Sequence, residues 1–139
     1  MPHPFPYTQV RIARSTLHLE KVIDFYKNGL GLPQIGHFEG HEGYSGVMFG
    51  LPGVTYHIES TEHESGTPLP APSPDQLLVF YLPSWEERNR VVQRLLQMGY
   101  ETVEPENPYW KTHGITVKDP DQYAVVLMDV AGFKQGAGK

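Results

Sequence analysis

The sequence predicts an α+β protein made of two βαβββ modules, and three observations lead there. A strand-like run from Gln9 to Arg14 feeds an amphipathic helix ending at Gly29, and further strand-like runs follow to about Ser60. The same order then returns: Gln76 to Leu82 reads as a strand, Ser84 to Met98 as a helix, and three more strand-like runs finish near Asp129. The helices begin roughly 67 residues apart, a period that suits one supersecondary unit per repeat. A single domain over 8–130 is expected, with module one at about 8–61, a connector at 62–75, module two at 76–130 and a flexible tail at 131–139. Neither module could bury its sheet alone, so the pair is expected to enclose a cleft, the usual setting for small-molecule binding or chemistry.

Each element has a local physical cause. In the first helix Leu19, Val22, Ile23, Tyr26 and Leu30 recur at spacings of three and four, a stripe that buries one face, while Glu20, Lys21, Asp24 and Lys27 stay in water. Gly29 and Gly31 are expected to end it, because glycine enters the left-handed region without steric cost. Ser84 and Glu87 stand at capping-box spacing before the second helix, which turns Val91, Val92, Leu95 and Leu96 to the core and closes at Gly99. Between the modules, Thr67-Pro68-Leu69-Pro70-Ala71-Pro72-Ser73-Pro74 removes backbone donors at alternate positions, which favours an extended connector over a central strand. The glycines after Ala131 predict a frayed tail.

Composition narrows the setting. Apolar residues make up 39% and aromatics 12% of 139 residues, enough to supply a sizeable core. No apolar run is long enough to span a membrane, and Met1-Pro2-His3-Pro4 lacks the basic and apolar regions of a signal peptide, so a cytoplasmic location is expected. The absence of cysteine excludes disulfides, thiolate metal ligands and cysteine nucleophiles. Eleven Lys plus Arg stand against sixteen Asp plus Glu, a formal charge of −5, and no basic stripe is present to neutralise phosphates. Nucleic acid is therefore not an expected partner.

The run Leu19-Glu20-Lys21-Val22-Ile23-Asp24-Phe25-Tyr26 into Gly29-Leu30-Gly31-Leu32 resembles the opening of the vicinal-oxygen-chelate superfamily, and Lys118-Asp119-Pro120-Asp121 is similar to the turn before its last strand. That superfamily holds glyoxalase I, extradiol dioxygenases, fosfomycin-resistance enzymes and bleomycin-resistance proteins. The resemblance covers about residues 8 to 130 and is nearest the uncharacterised small bacterial members. It implies the paired βαβββ fold of the glyoxalase/bleomycin-resistance/dioxygenase type, a small-molecule ligand and a homodimer. It also implies four strand positions at which the metal enzymes carry His, Gln or Glu. Here they fall on Arg11, on His57 or Glu59, on Leu77 with Gln76 beside it, and on Val126. A guanidinium has only donors and stays charged, so Arg11 cannot be a ligand, and Leu77 and Val126 read as core packing. No metal cofactor is expected.

Arg11 has two readings, an exposed strand residue or an anion-binding cation facing the cleft with Glu59 as counter-ion; the implied register favours the second. His57 is either a hydrogen-bonded pocket residue or a ligand. Tyr109 and Trp110, after Pro108, either cap the core or form one wall of a ligand pocket, with His41, Tyr44 and Met48 on the other. No nucleophile elbow surrounds Ser45 or Ser60, Gly36 to Gly46 lacks the spacing of a phosphate loop, and Glu62-His63-Glu64 reads as solvated loop. The expected function is therefore binding or sequestering of an organic ligand by Arg11, His41, Tyr44, Met48, Tyr109 and Trp110. The alternative is an enzyme using His57 and Glu59, either a metal-dependent lyase, isomerase or dioxygenase, or a metal-free acid-base catalyst.

Overall fold

Each half of the chain builds one mixed four-stranded sheet with a helix packed on one face. The computed structural model describes residues 4–6, 8–51, 53–54, 56–66 and 70–130. The predicted tail and residues 67–69 of the connector lie outside the described residues. The chain divides into two units, Met1–Leu69 and Pro70–Lys139.

Unit 1 runs β1 (Val10–Ser15), α1 (Leu19–Ile23) continuing as a wider turn over Asp24–Gly29, β2 (Gln34–His41), β3 (Tyr44–Gly50) and β4 (Tyr56–His63). Its sheet order is β1-β4-β3-β2, with β1 parallel to β4 and the remaining pairs antiparallel. Unit 2 repeats this with β5 (Leu77–Tyr81), α2 (Trp85–Gln97), β6 (Thr102–Val103), a short 3-10 turn at Pro108–Trp110, β7 (Gly114–Lys118) and β8 (Ala124–Met128), ordered β5-β8-β7-β6. The two first strands thus occupy equivalent places, each parallel to the last strand of its own unit.

The first helix departs from the expected stripe in one respect. Phe25, absent from that stripe, is fully buried beside Tyr26. The cause is the π-type turn, in which the Leu30 N–H donates to the Phe25 carbonyl at 2.8 Å. The extra residue in the turn brings two adjacent aromatics onto the core side, with Tyr26 5.8 Å from the Phe49 ring. Gly29 stays inside this turn and is buried, and the left-handed residue is Gly31 at φ 86°. In α2 the Ser84 hydroxyl accepts the Glu87 N–H at 3.2 Å, whereas the Glu87 carboxylate pairs with Arg90 instead of reaching back. Val92 and Leu95 are buried and Leu96 is exposed, a correction to its expected core role. Gly99 closes α2 at φ 99°.

One further difference and one expected turn concern strand ends. Glu62 and His63 belong to β4 rather than to a solvated loop, because β3 pairs as far as Tyr44 with His63. Glu62 Oε1 accepts the Leu19 N–H at 2.9 Å and so caps α1 from a strand. Before β8, Asp119 is buried and its Oδ1 accepts the Asp121 and Tyr123 N–H groups at 2.8 and 3.0 Å, which fixes where that strand begins.

Candidate functional site

Side chains alternate across a strand, so register decides which residues share a face. In unit 1, Val47, Phe49 and Ile58 point to the buried face with Phe25 and Tyr26. Arg11 pairs with His57, Ala13 with Glu59, and Met48 with Glu59, which puts Arg11, Met48, His57 and Glu59 together on the opposite face.

There they form one bonded array. The Arg11 Nε–H donates to His57 Nε2 at 2.8 Å, Nη1 donates to Glu59 Oε2 at 3.3 Å, and Nη2 contacts Met48 Sδ at 3.7 Å. His57 and Glu59 are 5% and 8% exposed, so the array sits largely out of water, while the Arg11 side chain keeps 48% exposure. A guanidinium can only donate, so His57 Nε2 must be the accepting nitrogen of a neutral imidazole whose proton is on Nδ1. That Nδ1–H makes no hydrogen bond among the described residues, and His57 borders a pocket of about 270 Å³ with Gln9, Ile35, Leu51 and Tyr56. Met48 lies flat over Gly36, where an added Cβ would come within 2.9 Å of the Met48 methyl carbon. The sulfur can reach the guanidinium because that position has no side chain.

Two other candidates of unit 1 stand apart from this array. His41 and Tyr44 pair with each other at the far end of the β2–β3 hairpin, roughly 13 Å along the strand from Met48 at about 3.3 Å per residue. His41 is exposed beside Glu42, and the Tyr44 ring meets His63 edge-on at 4.6 Å. Tyr109 and Trp110 belong to unit 2, where the Asn107 side chain accepts the Tyr109 N–H and the two rings meet edge-on at 4.9 Å. Tyr109 is exposed and Trp110 half-buried.

A metal centre can be tested against this geometry. Taking Arg11 and Leu77 as equivalent first-strand positions, the parallel registers make His57 equivalent to Ala124 and Glu59 equivalent to Val126. Four corresponding positions therefore hold a cation, one carboxylate and two hydrocarbons. Divalent metals need about three protein ligands and open positions for substrate. Among the described residues no group of three or more His, Cys, Asp or Glu stands close enough to hold an ion, so the donor set does not fit one. Val126 is fully buried core, as expected, but Leu77 is partly exposed and lines a pocket.

One polar cluster in unit 2 has no signal in the sequence. Asp129 bridges Arg88 Nη1 and His113 Nδ1, both at 3.1 Å, and Arg88 also donates to the His113 carbonyl. These bonds fasten α2 to the end of β8.

Two βαβββ units with this sheet order and parallel first-to-last register define the class of the molecule, a vicinal-oxygen-chelate fold of the glyoxalase and bleomycin-resistance kind. The chain belongs to the YycE-like family. Residues 10–61 match the YycE-like N-terminal domain and residues 75–129 the YycE-like C-terminal domain. It is 49% identical over 129 residues to the uncharacterised protein YycE of Bacillus subtilis (strain 168), covering 93% of either chain. The crystal structure of a YycE protein of unknown function from Bacillus subtilis is similar at a TM-score of 0.91 and 46% identity, covering 99% of this chain and 100% of that one. Glyoxalase I of Leishmania major is similar at a TM-score of 0.69 and 18% identity over 88% of this chain and 86% of its own. TnmS3, an antibiotic-binding protein from Streptomyces sp. CB03234, is similar at a TM-score of 0.65 and 17% identity over 93% and 100%. At such identities the likeness to these last two concerns the fold alone. No helix among the described residues is long and apolar enough to cross a membrane.

Proposed function

We propose that the protein binds a small organic ligand carrying an anionic group at the Arg11–His57–Glu59 array, and does so without a divalent metal. The observation that carries this reading is the position of the guanidinium: it bonds to both potential metal donors on that face, His57 Nε2 and Glu59 Oε2. A metal ion would have to displace a permanent cation or sit beside it, at a repulsion of roughly 1 kcal/mol per charge at about 4 Å in water and several times more at a lower effective dielectric. Arg11 still has unbonded N–H groups on a half-exposed side chain, in a fork that suits carboxylate or phosphonate oxygens.

The test is a binding screen of matched anionic and neutral ligands with metal analysis of the dialysed protein. Arg11→Ala is expected to weaken the anionic ligands and spare their neutral isosteres. One equivalent of zinc, nickel, iron or manganese that survives dialysis and is released by His57→Ala would overturn the reading. A second reading, metal-free acid-base catalysis, is favoured by the unbonded His57 Nδ1–H beside its pocket. It predicts turnover in the same screen that His57→Gln abolishes while ligand binding persists. The proposed assembly is a homodimer, and light scattering at a mass of 15.7 kDa over a wide concentration range would remove it.

A further inference from the structure

The thioether of Met48 stands against the Arg11 guanidinium, with Sδ 3.7 Å from Nη2 in an exposed contact, and Met48 itself is partly exposed. Strand register builds this approach. Met48 pairs with Gly36 on one side and Glu59 on the other, and Arg11 cannot swing away without breaking its bonds to His57 Nε2 at 2.8 Å and Glu59 Oε2 at 3.3 Å. Gly36 leaves the side chain room to lie flat, since a Cβ there would come within 2.9 Å of the Met48 methyl carbon. Of the other described methionines, Met128 is 4% exposed and Met98 caps the end of α2.

A thioether is a weak acceptor, so the contact leaves Nη2 nearly free to donate to another group. Oxidation changes that, because a sulfoxide is polar and carries its oxygen on the same sulfur. We infer that Met48 is an oxidation site that closes the Arg11 fork to anions. Hydrogen peroxide transfers one oxygen atom: a sulfur lone pair forms the S–O bond, the O–O bond breaks, the sulfur is oxidised by two electrons and the second peroxide oxygen leaves as water. The new oxygen accepts an Nη2–H. A carboxylate that needs that N–H together with one on Nη1 then loses half of its bidentate pairing. A dithiol reverses the step through a methionine sulfoxide reductase, becoming a disulfide while the oxygen leaves as water. This inference rests on the anion-binding reading of Arg11.

The experiment treats the full chain with hydrogen peroxide, follows oxygen addition at each methionine by peptide mass mapping, and measures benzoate and benzamide binding by calorimetry before and after. Met48 is expected to oxidise well ahead of Met128. Benzoate should bind about tenfold more weakly once Met48 carries its oxygen, while benzamide keeps its affinity. Methionine sulfoxide reductase with dithiothreitol should restore benzoate binding. In Met48→Leu, peroxide should leave that variant's own benzoate affinity where it was, whereas Met98→Leu should respond to peroxide like the wild type. Oxidation of Met48 no faster than Met128, undiminished benzoate binding by the oxidised protein, or a peroxide response that survives in Met48→Leu would each overturn the inference and leave the Arg11 reading intact. Benzoate that fails to bind the untreated protein, or that binds Arg11→Ala equally well, would overturn the Arg11 reading and this inference with it.

Discussion

Units 1 and 2 share their strand order and parallel register, yet the same face of the sheet carries opposite chemistry in each. In unit 1, Arg11, His57 and Glu59 hold one another, and two of the three are almost fully buried. In unit 2 the equivalent Leu77, Ala124 and Val126 are hydrocarbons, and Thr116 Oγ1 on that face has no hydrogen-bond partner among the described residues. The lesson is that a backbone repeat fixes where side chains point and says nothing of what they must be. A polar face can be kept only if its members satisfy each other, since a buried charge without a partner costs far more than the pair contributes.

That contrast can be broken most severely at Val126. Val126→Glu would copy Glu59 into unit 2 without a cation opposite, and should destabilise the protein by about 3–5 kcal/mol in urea unfolding. Adding Leu77→Arg should recover part of the loss, with a coupling of about 0.5–3 kcal/mol in a double-mutant cycle. Zero coupling would mean that the two faces are not equivalent. Arg11→Ala, the reverse experiment, leaves Glu59 buried without its counter-ion. Because Arg11 is half-exposed, the expected loss is smaller, about 1–2 kcal/mol. The smallest effect compares the two helix starts. Ser84→Ala removes a cap supplied from within the turn, and Glu62→Ala removes one supplied across 43 residues. Each should cost about 1 kcal/mol. A Glu62→Ala protein as stable as the wild type would mean that the cap of α1 is dispensable.

What could be read from the sequence follows the range of the forces involved. The second helix was legible because its start at Ser84, its stripe and its stop at Gly99 are written within one stretch of chain. The pairing of Arg11 with Glu59 was anticipated only because the family resemblance supplied a face for each. Positions set across strands were not legible: the choice between His57 and Glu59 as the equivalent of Val126 needed two parallel registers, and Glu62 looked like loop until β3 was seen to run alongside it.

By itself, then, the sequence determined the βαβββ repeat and the helix limits in unit 2, because spacing and capping are properties of residues and their neighbours in the chain. Only the tertiary structure decided that Phe25 and Tyr26 are both core, that Arg11 occupies His57 and Glu59 together, that His41 and Tyr44 stand apart from them, and that the Thr116 hydroxyl has no partner among the described residues. Those outcomes depend on which atoms arrive within about 3 Å across a sheet, and that distance is set by strand register and turn width rather than by any local run of residues.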